Sequence, residues 1–536
     1  MAMWHSTPSL APPASGGGHR GERGMFLVMA AAFFVRLWAA SGTFLNPDEA
    51  LHFLVANKLS WSAAYKASLS TAHPPGLIFL LYFWRSLGTS EIALRLPSVI
   101  AGTVFCWLLF RWLKRAFHRN TAWIGLLLAS FLPPCVAISA EVRQYAFLLM
   151  FMAAALDLLE QALAERSTLK MLGSGCCLCF ALTFHYSALL FALAFGVYVL
   201  LRILKQPTET GVLAAWVTGQ VFALALLAFF YVHHIAKLSG NEMAQQTIEG
   251  WLANSYFHPG KQSLPLFVIA RTFGVFQFVF GQLAVGDVAC LLFVAALVLL
   301  MRRRNMILAT FLLLPFAIAC GLAIAGKYPY GGTRHSAFLV PFVLAGVAVG
   351  INAIAKDRIR VGAIVALAVI ALSAAFGSPH RPYMTRTDQS RLHMQQAVEF
   401  LHATLKPEQL IVADYQSSLL LGHYLCDERP MSFSTSVPGF EEFRCNGLRV
   451  VATGPQVQIF GPKTFLDPAF WTTLGDHFGV RPGEQVWVVQ AGWDIHLAEQ
   501  LQQGGQQDIG PKNFGKNIQI FPFTLPKNQA VILRMR

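Results

Sequence analysis

Met25-Phe-Leu-Val-Met-Ala-Ala-Ala-Phe-Phe-Val-Arg36-Leu-Trp-Ala-Ala-Ser-Gly-Thr-Phe44 runs directly into Leu45-Asn46-Pro47-Asp48-Glu49. The first part is about twenty mostly apolar residues, the length that crosses a bilayer core as a helix. The second places two adjacent carboxylates at the edge of that run. Ionised groups at a membrane boundary are costly unless they face water or perform chemistry. This stretch therefore predicts a membrane helix with a chemically active loop beyond it.

Working outward, the pattern repeats. The chain has 536 residues and 13% charged residues, well below the roughly 25% of soluble domains. Its mean hydropathy is +0.51. About eleven apolar segments reach or approach spanning length: 25–44, 92–112, 121–138, 144–162, 171–184, 186–203, 213–235, 285–301, 306–325, 335–354 and 361–377. The formal net charge of +14 does not imply a nucleic-acid partner. The basic residues cluster instead at Arg20/Arg23, Arg111/Lys114/Arg115/Arg119, Arg166/Lys170, Arg202/Lys205, Arg302/Arg303/Arg304 and Lys356/Arg358/Arg360. All fall on one side if eleven spans alternate, and the positive-inside rule makes that side cytoplasmic. Asp48 and Glu49 then face the opposite compartment.

The organisation that follows has three parts. Residues 1–24 are expected to be a disordered cytoplasmic tail, 25–377 a helical membrane domain, and 378–536 a soluble extracytoplasmic domain. The last is large enough for its own core. Its helical pattern over 391–404 and β-type runs at 410–412, 448–452 and 485–489 predict a small α/β or α+β fold. Segments 48–90 and 250–284 mix aromatic and polar residues and suit amphipathic helices lying in the interface. Seven of the nine cysteines lie in or beside spans; Cys426 and Cys445 are the two in the soluble domain and are candidates for a disulfide. The expected location is a bacterial inner (plasma) membrane, crossed many times.

Several outward motifs carry chemistry. Pro47 fixes a helix start, so Asp48 and Glu49 fall in the first turn, where a helix-capping role competes with a catalytic one. The catalytic reading makes Asp48 a general base for an acceptor hydroxyl, with Glu49 in support. His52, one turn beyond Asp48, is expected at the surface, the alternatives being to orient Asp48 or to share a metal with it. His73 sits at the Pro74-Pro75-Gly76 corner, a turn that brings it within reach of the first loop. Glu141-Val142-Arg143-Gln144-Tyr145 packs a carboxylate, a guanidinium and a phenol into one short outer turn, and Arg suits phosphate recognition. Lys327, Arg334 and His335 put positive charge on the outer side, against the inside bias, where an anionic lipid phosphate would account for it. His185-Tyr186 lies on the same side with a weaker signal.

On these motifs the chain resembles the membrane glycosyltransferases of the GT-C fold, in particular the protein O-mannosyltransferases and the aminoarabinose–lipid A transferases. The resemblance rests on the Arg36-bearing first span, Asn46-Pro-Asp-Glu49, His73-Pro-Pro-Gly76, Ala93-Leu-Arg-Leu-Pro97, Glu141-Val-Arg-Gln-Tyr145 and Gly332-Thr-Arg-His-Ser336. It implies a polyprenyl-phosphate sugar donor, inversion at the anomeric carbon, a catalytic carboxylate at Asp48, and donor-phosphate contacts from Lys327, Arg334 and Arg143. The chain departs from the aminoarabinose transferases at Ala50-Leu51, where they carry a polar pair, and at His73, where they carry Lys.

The expected function is thus an inverting glycosyltransferase that moves a sugar from polyprenyl phosphate to an extracytoplasmic lipid, glycan or protein. Its partners would be that lipid-linked sugar, membrane lipids and the acceptor, with no nucleic acid. No cofactor is implied by a motif, and a divalent metal stays open. The rival classes are a transporter or lipid flippase and a non-catalytic assembly protein. Transporters usually carry internal repeats and midplane polar sites, and neither is visible in this sequence.

Overall fold

The computed structural model describes residues 18–238, 249–375, 389–407, 409–426, 437–455, 460–493, 495–503 and 509–524. The first seventeen residues of the expected tail and the expected boundary at 377–378 lie outside the described residues. Helix Gly18–Ala40 starts before residue 25, so the part of the tail from Gly18 on is helical rather than disordered.

Among the described residues, eight helices are long and apolar enough to cross a membrane: Arg23–Ala40, Glu91–Ala116, Tyr145–Glu165, Ala188–Lys205, Thr210–Ile235, Leu283–Arg302, Met306–Ile324 and Arg334–Ile354. The chain is a multi-pass membrane protein. Two further expected spans are shorter apolar helices, Thr168–Phe184 and Ile359–Ala375.

The expected span 121–138 is not one helix. It divides into Arg119–Phe131 and Pro133–Ala137. Pro133 and Pro134 lack the N–H groups that would bond Ala129 and Ser130 one turn back, which ends the first helix. Arg36, fully buried in the first span, replaces the missing donors. Its guanidinium donates to the Ala129 carbonyl at 2.7 Å and the Ser130 carbonyl at 2.9 Å. A charged residue inside an apolar span is thus explained by backbone satisfaction. Pro97 poses the same problem within Glu91–Ala116, because it leaves the Ala93 carbonyl without its helical donor. The Trp84 indole N–H fills that place at 2.8 Å.

The segment 48–90 folds into helices Pro47–Ala56, Trp61–Ser68 and Gly76–Trp84. The segment 250–284 carries helix Leu264–Phe280, whose Gly274 comes so close to Gly332 that a Cβ would meet its backbone nitrogen at 3.1 Å.

The C-terminal region is a mixed six-stranded sheet. Its strands are β1 (Leu410–Ala413), β2 (Phe440–Cys445), β3 (Leu448–Thr453), β4 (Gln485–Ala491), β5 (Lys512–Asn513) and β6 (Ile518–Thr524), in the order β2-β3-β1-β4-β6-β5. β1 lies parallel to β3 and β4, and the outer pairings are antiparallel. The β2–β3 hairpin turns on Asn446-Gly447, with φ of 51° and 81°. Positive φ at both central residues is the turn that matches strand twist, and Asn-Gly adopts it at least cost. A disulfide joins Cys426 to Cys445.

Alternation along the strands gives two apolar faces. Leu410, Val412, Val486, Val488, Phe521 and Phe523 pack with Phe465, Trp471 and Leu474 on one side. Ile411, Ala413, Val450, Val489 and Ile520 face the other way, sharing one core with Phe44, Phe53 and Leu54 of the membrane domain. Helix Tyr415–Tyr424 seats on helix Pro47–Ala56. The Tyr424 hydroxyl accepts from the Leu45 amide at 2.8 Å and donates to Glu91 at 3.1 Å. Where chain 389–391 returns, Phe44 and Arg391 exchange backbone hydrogen bonds with Gln389 and Gly42. The sheet region is therefore docked directly behind the loop that carries Asp48.

Candidate active site

Asn46 caps helix Pro47–Ala56 through a capping box. Its side-chain oxygen accepts from the Glu49 amide, and Glu49 reaches back to the Asn46 amide at 2.8 Å. Glu49 does more than close this cap. Arg95 donates to both its oxygens at 2.7 Å, and the Val142 amide donates to Oε1 at 2.8 Å. Both side chains are almost wholly buried. Burial alone would raise the Glu49 carboxyl, but Arg95 and the two amides hold it below its ordinary value. With both oxygens doubly bonded, Glu49 has no lone pair left for a substrate. The geometry turns the expected supporting carboxylate into the joint between the first outer loop and the Glu141–Tyr145 turn.

Asp48, the neighbouring residue, points elsewhere and is 32% exposed. Arg143 Nη1 lies 2.7 Å from its Oδ2, and Arg334 Nη1 lies 3.5 Å from the same oxygen. Arg334 also reaches Glu141 at 3.4 Å. Burial opposes the charge of Arg143, yet Asp48 outweighs it and pushes the guanidinium pKa further up. Burial raises the Glu141 carboxyl, with Arg334 pulling against it. Residues from three distant parts of the chain thus form one alternating cluster, and the Arg143 guanidinium also lies over the Tyr145 ring at 5.5 Å.

Histidines line the next layer. His52 is 3% exposed, so the expectation of a surface residue is corrected. Its Nδ1 lies 2.5 Å from the Asp48 carbonyl, an acceptor only, which assigns the proton to Nδ1 and a lone pair to Nε2. His73 stacks on His52 at 5.8 Å between centroids, and His185 follows at 5.5 Å. The Ser187 amide donates to His185 Nδ1 at 3.1 Å, so in the neutral ring Nε2 carries the proton. Burial depresses all three: His52 to about 4, His185 to about 3, and His73 well below the usual range. Nε2 of His52, Nε2 of His185 and Nε of Arg143 are buried without a protein partner.

The His73 corner is held from outside. The last turn of helix Thr210–Ile235 widens into a π-helix over Tyr231–Ile235, a distortion common at functional positions. It sets His234 between the Tyr186 hydroxyl and the Thr71 carbonyl, the latter at 2.8 Å. His335 packs beside Trp251 at 5.7 Å and accepts a bond from Tyr328 at its carbonyl. Lys327 is exposed and, among the described residues, forms no ion pair with Asp48 or Glu141. Sequence reasoning missed Arg95 and the placement of His52 and His234. The clearest available signal was Arg95 itself, a charge within the Glu91–Ala116 span. Among the described residues no group of three or more His, Cys, Asp or Glu side chains is placed to hold a metal ion.

Comparison with known proteins adds a frame to this geometry. Residues 72–233 match the sequence family described as dolichyl-phosphate-mannose-protein mannosyltransferase. A comparison with curated protein sequences finds no match. Among solved structures, ArnT from Cupriavidus metallidurans bound to undecaprenyl phosphate superposes with a TM-score of 0.54 at 13% identity, over 93% of this chain and 98% of that one. The same enzyme in its apo state gives 0.53 at 12% identity, over 96% and 99%. The Archaeoglobus fulgidus oligosaccharyltransferase tethered to an acceptor peptide gives 0.52 at 10% identity, over 89% and 69%. The chain has the GT-C fold of these membrane glycosyltransferases.

Proposed function

We propose that this protein is an inverting glycosyltransferase that takes a sugar from a polyprenyl-phosphate donor and transfers it to an acceptor outside the cytoplasm. The observation that carries the reading is the Asp48–Arg143–Arg334–Glu141 cluster at the outer ends of the helices. A carboxylate with partial solvent access, bracketed by two guanidiniums, combines a proton acceptor with sites for a phosphate. The fold agrees with it. The acceptor oxygen attacks the anomeric carbon while its proton passes to Asp48. The carbon–oxygen bond to the phosphate breaks on the opposite face, and the electron pair leaves with polyprenyl phosphate. That group gains one negative charge, which Arg143 and Arg334 offset. Before donor binds, Asp48 holds both arginines; a phosphate that draws Arg143 away frees Asp48 to act as base. Glu141 would keep Arg334 in position, Tyr145 would pack on Arg143, and His335 would close the same wall. Lys327 would meet the lipid phosphate only on its approach. Membrane lipids surround the donor tail. A bacterial inner membrane, with the basic loops in the cytoplasm and the sheet domain outside, fits the charge distribution. A divalent metal is assigned no step.

Asp48→Asn tests this. It keeps size and helix capping but removes the base, so turnover should fall by about 10²–10⁴-fold. Donor binding and thermal stability should persist. Wild-type turnover in purified Asp48→Asn protein would overturn the assignment.

A further inference from the structure

The sheet domain brings side chains of its own to the Asp48 loop. Gly492 fits so closely against Pro47 that a Cβ would meet it at 2.9 Å, which places the next residue, Trp493, beside that loop. Trp493 is 43% exposed and offers water a broad apolar ring. Tyr415 opens the helix that seats on Pro47–Ala56, and its phenol feels the charges of both Asp48 and Glu441. Glu441 stands on the edge strand β2, with Lys58 of the first outer segment as its cationic neighbour. Tyr415 and Glu441 are only half-buried, yet burial raises both, the Glu441 carboxyl to about 7. Groups that keep water contact while protein surrounds them line a recess. Among the described residues, neither the Tyr415 hydroxyl nor the Glu441 carboxylate has a hydrogen-bond partner.

These groups differ in kind from the guanidiniums that meet Asp48 from the membrane domain. A carboxylate only accepts, a phenol both accepts and donates, and an indole supplies an apolar face. Two free carboxylate oxygens take two neighbouring donors at once, the pattern that vicinal hydroxyls of a sugar present. A phosphorylated acceptor would instead bring negative charge against Glu441. A peptide backbone has one N–H donor per residue, spaced along the chain. A saccharide ring offers paired hydroxyls and an apolar face together.

We infer that Tyr415, Glu441 and Trp493 form an acceptor subsite on the sheet domain, and that the acceptor is a phosphate-free saccharide. This rests on the glycosyl-transfer reading above and names the acceptor class for it. Trp493 carries the ring face, Glu441 and Tyr415 take its hydroxyls, and Lys58 orients Glu441 across the domain boundary. The acceptor then reaches Asp48 from the sheet domain, while the donor phosphate meets Arg143 and Arg334 from the membrane domain.

The test uses the full-length protein in lipid nanodiscs, with polyprenyl-phosphate lipids extracted from cells lacking the protein as donor. Three acceptor fractions come from the same cells: phosphate-free polysaccharide, phosphorylated glycolipid and delipidated envelope protein. Mass spectrometry should find the added sugar on the polysaccharide. Glu441→Leu, Tyr415→Phe and Trp493→Ala should each raise the acceptor KM by about ten-fold, the factor expected from one or two hydrogen bonds or a ring contact. The effect on kcat should be much smaller, and polyprenyl phosphate should bind within about two-fold of wild type. Glu441→Gln and Trp493→Tyr, which restore an acceptor oxygen and a ring, should recover part of the loss and guard against simple misfolding. Sugar found on the glycolipid or protein fraction instead, or variants that lower kcat with KM unchanged, would overturn the inference and leave the donor reading standing. So would the absence of transfer to any fraction by a protein that binds polyprenyl phosphate. Failure of the wild-type protein to bind polyprenyl phosphate would overturn both.

Discussion

Acidification should weaken this protein before it protonates any ordinary carboxylate. Burial depresses the His52 and His423 imidazoles to about 4 and His185 to about 3, and holds His73 well below its usual value. In the unfolded chain each returns to about 6.5. A base with a depressed folded pKa is neutral in the native state, so below pH 6.5 the unfolded chain binds the extra proton. Its contribution is intact above pH 6.5 and is lost as pH falls toward the folded value. Between pH 7 and 5 the loss is about 2 kcal/mol for each such histidine. Two carboxylates work in the opposite direction. Burial raises Glu441 to about 7, with Lys58 pulling against it, and burial also raises Glu141. Each takes up its proton first in the folded state; Glu441 offsets roughly one histidine over the same range, and Glu141 acts in the same direction. The depressed histidines outnumber these carboxylates, so the net change from pH 7 to pH 5 is a loss of stability. Thermal unfolding in nanodiscs, followed by tryptophan fluorescence at pH 7 and pH 5, measures it. His185→Asn removes one titrating rung and should shrink the difference by about 2 kcal/mol. A wild-type protein equally stable at both pH values, or a variant with undiminished pH sensitivity, would refute the reasoning.

Other perturbations separate the structural parts of the site from the reactive ones. Arg95→Met leaves Glu49 buried without its main partner and should cost about 3–5 kcal/mol, seen as loss of folded yield and of thermal stability. Arg143→Met leaves Asp48 with its own route to water, so it should abolish transfer with a smaller change in stability; the reverse ranking would show that Arg143 is the structural member. The Cys426–Cys445 disulfide closes a short loop with a sequence separation of 19. Cys445→Ser, or reductant on the wild type, should destabilise the sheet domain by about 3 kcal/mol in a thermal or denaturant melt. Gly492 has φ of 128°, and a Cβ there would meet Pro47 at 2.9 Å and Gln416 at 3.2 Å. Gly492→Val should loosen the sheet domain from helix Pro47–Ala56 and raise hydrogen exchange across Tyr415–Tyr424.

The layout of the protein was legible because it depends on local signals. The apolar runs other than 121–138, the strand runs near 410, 448 and 485 and the helix over Arg391–Thr404 are all short-range patterns, and all appear as ordered elements. The helix start at Pro47 was equally local. What escaped were pairings over long separations. Arg95 reaches Glu49 across 46 positions, and Val142 does so across 93. No periodicity encodes such a meeting. His52 was misread because a histidine one turn from a partly exposed aspartate resembles a surface residue until the His73 corner stacks on it. The broken helix at Pro133 carried its own warning, since two prolines in sequence remove two helical donors. The overall apolarity of 121–138 obscured it. Arg36 was given no role in the sequence; it completes the carbonyls those prolines leave open.

On the proposed function, the two neighbouring carboxylates divide one loop between stability and chemistry. Adjacent helical side chains point about 100° apart, so Asp48 and Glu49 cannot share a target. Glu49 turns inward and takes the Val142 amide; Asp48 turns outward and takes the guanidinium of Arg143, the very next residue. The loop and the turn are therefore joined in register, one position apart on each strand of chain. Any slack in the buried pair becomes a misplacement of the reactive one. Glu49→Asp preserves charge but withdraws the carboxylate by one methylene, so Arg95 and Val142 cannot both be reached in the same geometry. If Glu49 is purely a joint, this variant should bind polyprenyl phosphate yet transfer slowly, with kcat reduced more than KM is raised, as expected when reacting groups are displaced by about 1 Å. An unchanged kcat would mean that the position of Asp48 is set by the docked sheet domain alone.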